Sequence, residues 1–346
     1  MSYETLMQNL GFPNSERLKK ILEYLMDEES AKVASALPGS IDEVAQKLGM
    51  DKKRVKEILE DLFVKGVVFP RDFKNREYFK FARDLIQLHD ATLASQKVKD
   101  VKFAELWSDF MNEEGYKTLG QVLSFLGVKV WRVVPAYHAI KDLPDVLPHE
   151  NIKELLKAQN KIAVVPCSCR NLTMLTGEGC KYTDESTWHC IQVGRGAEYV
   201  IERGSGKQIS IEEALKLVDE IERDGLVHTW ANTSKMVDSR VTVNCNCCGD
   251  CCEFFLSAKF AERGMLDIIE KSRYEAFVDV EKCTGCQTCI ERCHFDAIEL
   301  YKPEGSKKFK AKVISEKCFG CGVCVVGCKQ NAIKLKAVRP PEFIPP

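Results

Sequence analysis

EKCTGCQTCIERC, residues 281–293, and EKCFGCGVCVVGC, residues 316–328, decide how this chain is read. Each carries C-x-x-C-x-x-C-x-x-x-C. The first supplies Cys283, Cys286, Cys289 and Cys293, and the second Cys318, Cys321, Cys324 and Cys328. Such spacing suits a tight turn that aims three sulfurs at one metal core, and soft thiolates select iron–sulfur or zinc over hard cations. The repeat extends beyond the cysteines. VDVEK (278–282) and VISEK (313–317) lead in, and FDAI (295–298) and QNAI (330–333) follow. Two zinc ribbons are the alternative, but those pair C-x-x-C units at longer spacing.

Over residues 275–337 the chain resembles a bacterial-type ferredoxin carrying two [4Fe-4S] clusters. The resemblance implies crossed ligation, in which the fourth cysteine of each run serves the other cluster. Cluster I would then be held by Cys283, Cys286, Cys289 and Cys328, and cluster II by Cys318, Cys321, Cys324 and Cys293. That family usually has proline after each fourth cysteine, where this chain has His294 and Lys329. Proline fixes φ and removes an N–H, so its loss bears on reduction potential more than on cluster presence.

The chain has 346 residues, room for two or three domains at roughly 100–200 residues each. A net charge of −1 gives no bulk reason for a polyanionic partner. An odd count of 17 cysteines, without an N-terminal apolar signal segment, argues against a secreted disulfide framework. Reduced thiols holding metal in a cytoplasm fit better. No uncharged apolar run reaches the ~18 residues of a membrane span. The best stretch, Gln121 to Tyr137, is interrupted by Lys129 and Arg132.

The expected fold class is α+β multidomain: a winged helix-turn-helix, a small α/β cysteine-rich domain and a ferredoxin-like dicluster domain. Residues 1–95 resemble a winged helix. Ser40-Ile41-Asp42-Glu43 is a capping box, Asp51 caps a longer helix, Gly66 ends it, and Val67–Phe69 with Glu77–Phe81 reads as a hairpin. Lys52, Lys53, Arg54 and Lys56 would open the recognition helix, the end that contacts DNA in such motifs. Yet this region holds 15 basic and 16 acidic residues, not the basic excess of a DNA-binding module. Subunit docking is the favoured reading and DNA contact the lesser one.

Residues 96–160 form a helical connecting segment, with Phe103, Leu106, Trp107 and Phe110 at helical spacing. Residues 161–272 carry nine more cysteines. Ile162–Val165 reads as a buried strand followed by Cys167-Ser168-Cys169-Arg170, with Cys180 and Cys190 next. Arg240–Asn244 reads as a strand delivering Cys245, Cys247, Cys248, Cys251 and Cys252. Both cysteine groups thus fall at strand ends, where sites commonly form. They are expected to converge on one site holding a third iron–sulfur cluster, or alternatively zinc, since four thiolates also suit tetrahedral zinc. A redox dithiol is a further alternative. His189 and His228 are lesser ligand candidates. Residues 273–337 are the dicluster domain and 338–346 a proline-rich tail.

The whole order, from winged helix through CSCR and CNCCGDCC to the dicluster segment, is similar to a family of anaerobe iron–sulfur proteins described as 4Fe-4S binding proteins. The leading expectation is an electron-transfer protein or redox subunit. It would pass single electrons between a redox partner protein and the central cysteines. A redox-responsive DNA-binding regulator and an oxidoreductase with a small-molecule substrate at the central cysteines are the alternatives. Oligomeric state is not readable from the sequence.

Overall fold

A computed structural model describes residues 2–127, 129, 131–183, 188–232, 242–305 and 308–345. It is a mixed helix and sheet structure that divides into two compact units. One is Met1–Gly115 with Val165–Cys180 and Glu198–Lys207. The other is Tyr116–Val164 with Lys181–Ala197 and Gln208–Pro346.

In the first unit, short polar side chains start the helices. Ser15 Oγ accepts the Leu18 N–H at 3.0 Å and opens helix Glu16–Leu25, and Asp27 opens Glu28–Ser35. The expected capping box forms, with Ser40 Oγ and Glu43 each satisfying the other's backbone N–H at the head of Ile41–Leu48. Asp51 caps Lys52–Lys65, and Gly66 ends it at φ 90°, where a side chain would be strained and would strike Ala91 and Arg203. Tyr78–Phe81 then pairs antiparallel with both Val68–Pro70 and Gly39–Ser40. A first helix, Ser2–Asn9, was not expected. Helix Ser168–Leu175 packs on Leu85–Leu93 and Val101–Phe110, tied by Asn171 Nδ2 donating to the Leu93 carbonyl at 2.7 Å.

The second unit is built on a seven-stranded sheet. Its order is Ile269–Glu270, Trp131–Val133, Val227–Ala231, Val243–Cys247, Cys190–Val193, Ile162–Val165, Lys207–Ile209. The first pair is parallel, and the next three pairings are antiparallel. Val243–Cys247 begins three residues later than expected, and Arg240 and Val241 lie outside the described residues. Buried ion pairs pin segments to this core. Arg273 reaches Glu150 at 2.6 and 3.0 Å, and the Tyr274 hydroxyl donates to the same carboxylate at 3.0 Å. Burial, then the Glu150 charge, pushes the Tyr274 phenol up to about 12.

Glu222 ends in the interior, at 0% exposure. Its carboxylate accepts the backbone N–H groups of Tyr137 (2.5 Å) and His138 (3.1 Å) and meets His138 Nδ1 at 2.6 Å. His228 Nε2 stands 3.4 Å away. Burial alone would raise its pKa. Attraction by His228 and then His138 overrules burial and takes it from the ordinary 4.5 to about 2. A carboxylate whose pKa is depressed on folding stabilises the fold above its unfolded pKa, and that gain is lost as pH falls toward the folded one. Glu222→Gln is therefore expected to cost about 2–4 kcal/mol at neutral pH. In thermal melts the gap between wild type and variant should close as pH drops from about 4.5 toward 2. A constant gap would remove this role.

Candidate metal centres

The last segment of the second unit is a two-fold repeat in space as in sequence, with an offset of 35 residues. Strand Tyr274–Val278 pairs with Ile333–Ala337, and Ile298–Tyr301 pairs with Lys310–Val313. Short helices Thr288–Glu291 and Val323–Val326 carry Cys289 and Cys324. The backbone repeats its special angles too: φ is 73° at Gly285 and 69° at Gly320, 50° at Asp296 and 48° at Asn331. A Cβ on Gly285 would strike the Phe309 carbonyl, and one on Gly320 the Tyr274 carbonyl. Glycine is required at both positions by conformation and by space.

Backbone N–H groups point at sulfur in the same symmetric pattern. Ala311 donates to Cys283 Sγ at 3.4 Å and Ala276 to Cys318 Sγ at 3.5 Å, while Ala297 reaches Cys293 Sγ and Ala332 reaches Cys328 Sγ, both at 3.3 Å. Burial pushes the Cys289 thiol up to about 11, and its charged neighbours in that shift are Cys283, Cys286 and Cys328. Burial likewise raises Cys324 far above its ordinary value, assisted by Cys321, Cys293, Cys318 and, last, Cys289. Thiols placed this way repel one another once ionised. A cationic core among them lets them exist as thiolates, so this donor set fits an iron–sulfur cluster.

One pocket is lined by Cys293, Cys318, Cys321 and Cys324, with Phe295 and Phe319 on its wall. The two rings stack at 4.3 Å between centroids. The two halves differ in cover. Cys286 is exposed, and the Thr288 N–H and hydroxyl lower its thiol pKa. Its counterpart Cys321 is half-buried, burial raises its thiol, and its carbonyl accepts the Ala136 N–H at 2.9 Å. Ala139 sits on Gly322, where the first half has Gln287 instead. Arg292 also braces this half, donating to the carbonyls of Val323, Arg223 and Glu222 at 3.1, 3.0 and 2.8 Å.

The nine other cysteines are divided between the units. In the first, Cys167 is the N-terminal cap of Ser168–Leu175, Cys169 lies in its first turn, and Cys180 ends the segment. In the second, Cys190 begins its strand and receives a hydrogen bond from Gln192 Nε2 at 3.2 Å. Cys245 and Cys247 occupy alternate positions of Val243–Cys247 and so share a face. Cys248, Cys251 and Cys252 are buried in the turn before helix Glu253–Ala258, and Cys252 caps that helix. The donor atoms of Cys248, Asp250 and Cys251 lie within 4.8 Å of one another. His228 faces Asn246 Oδ1 at 2.6 Å and Glu222, while Asn246 Nδ2 donates to the His189 carbonyl.

Sequence reasoning gave His294 no role beyond its replacement of proline. It joins the two cysteine regions of the second unit. Its Nε2–H donates to the Gly225 carbonyl at 2.7 Å, and its Nδ1 accepts the Gly249 N–H at 3.1 Å. Tyr182 packs on the ring at 4.4 Å, and Phe255 bridges it to Phe295. A proline there could make neither hydrogen bond. That departure from the ferredoxin pattern was the available signal.

Among the described residues, no helix is long and apolar enough to cross a membrane. No curated protein and no solved structure matches the chain. Residues 282–332, which hold all eight repeat cysteines, match the family described as the 4Fe-4S dicluster domain, so this is an iron–sulfur protein with a ferredoxin-like segment near its C-terminus.

Proposed function

We propose that this protein transfers single electrons through two [4Fe-4S] clusters held by crossed ligand sets. Cys283, Cys286, Cys289 and Cys328 would hold cluster I. Cys318, Cys321, Cys324 and Cys293 would hold cluster II. The observation that carries the reading is the cavity lined by all four cysteines of the second set, three from one run and one from the other. The charged neighbours of Cys289 support the first set in the same way. When bound, such a cluster accepts and releases one electron at a potential set by its surroundings.

The chain's own part is ligation, burial and hydrogen bonding to sulfur. Ala311 and Ala332 N–H groups would stabilise thiolate charge on the first set, and Ala276 and Ala297 on the second. The exposed Cys286 is where a redox partner protein would exchange electrons with cluster I. Cluster II would lie under residues Ala136–Ile140, beside His294 and the central cysteine loop. The reading of the N-terminal region as a winged helix is supported by its helix, helix and hairpin order. Its DNA-binding role is weighed down by pairing. Lys52 meets Asp42 at 2.7 Å and Arg54 meets Glu29 at 2.5 Å, so much of the expected recognition charge is already neutralised.

Protein purified without oxygen is expected to hold about eight irons per chain in these clusters. Cys286→Ala and Cys321→Ala should each lose or convert one cluster, read by iron and sulfide analysis and by low-temperature spin resonance after dithionite. Iron near half that content would contradict two clusters. Mild oxidation should damage the cluster of the exposed Cys286 first, giving one three-iron signal before any further loss. Simultaneous decay of both would overturn the assigned difference in cover.

A further inference from the structure

We propose that Cys248, Asp250 and Cys251 bind a single zinc ion, a site separate from the ferredoxin clusters and independent of their assignment. Two thiols and a carboxylate converge from one turn, with all donor atoms within 4.8 Å. Sulfurs on one tetrahedral zinc, each about 2.3 Å from the metal, stand about 3.8 Å apart. The four thiolates of a cubane instead radiate from four different irons and are spread by the width of the cube. Among the described residues, the eight ferredoxin thiols form no group as tight as this one. The spacing therefore selects a mononuclear ion over the third cluster that the sequence suggested.

A second observation points the same way. Asp250 Oδ2 accepts the Lys181 N–H at 2.7 Å, while Oδ1 is buried and accepts no hydrogen bond. A buried carboxylate oxygen without a partner is costly, and a cation satisfies it. Cys248 and Cys251 are 1% and 2% exposed, so the sulfurs are shielded as ligands of a closed site usually are. The supports are backbone groups outside the donor set. His294 Nδ1 holds the Gly249 N–H, and the Cys252 N–H closes the turn on the Cys248 carbonyl at 3.3 Å. A donor set of thiolates with a carboxylate is zinc chemistry, and loading would displace the thiol protons.

The full chain, purified anaerobically with zinc supplied, should carry one zinc per chain besides its cluster iron. X-ray absorption at the zinc edge should show sulfur at about 2.3 Å together with oxygen at about 2.0–2.2 Å. Asp250→Asn, Cys248→Ser and Cys251→Ser should each lower zinc occupancy at least about tenfold under a competing chelator. Iron content and visible cluster absorption should stay unchanged, which also reports that the variants fold. Absence of stoichiometric zinc, a zinc shell without oxygen, or zinc retention in all three variants would overturn the site. Loss of about four irons in these variants would replace it by a third cluster.

Discussion

Buried thiols that repel one another when ionised are the constraint on which the C-terminal segment depends. Desolvation and mutual charge hold Cys289, Cys321 and Cys324 protonated on their own account. Only a cationic core reverses that preference. The backbone is arranged around the same need. Glycines at 285 and 320 take left-handed angles against a carbonyl, and four alanine N–H groups aim at four sulfurs.

The internal symmetry ends at the surface of the repeat. One copy leaves Cys286 in solvent. The other is covered by Ala136, Ala139 and Ile140 and braced by Arg292. Two chemically equal cysteine runs therefore lie in unequal dielectrics. Unequal surroundings are how a protein separates the potentials of otherwise identical clusters. His294 sits at the junction, next to Cys293 in the chain and hydrogen-bonded to the turn that carries Cys248 and Cys251.

Much of this was legible because its cause is local. Cysteine spacing is covalent, so both runs and their 35-residue offset could be read directly. Ser40 with Glu43, Ser210 with Glu213, and the glycines at 49, 66 and 225 mark helix ends through neighbours three or four residues away. What was not legible depends on distant pairing. Nothing near Glu222 in sequence announces that it takes the N–H groups of Tyr137 and His138. Which of the nine central cysteines come together is a matter of topology. So is the tight trio at Cys248, Asp250 and Cys251, since nothing in CNCCGDCC says that the aspartate lies with the sulfurs. His228, weighed as a ligand, instead faces Glu222 and Asn246.

The Ala136 N–H bond to the Cys321 carbonyl has a practical consequence for anyone wishing to treat the dicluster segment as a portable part. Excised at its family boundaries, it would leave behind its own roof. Gly322 would lose the methyl of Ala139, and water would reach a glycine that is buried in the whole chain. A transplanted version would need a substitute cover that comes as close, since a Cβ on Gly322 would already strike the Ala139 methyl.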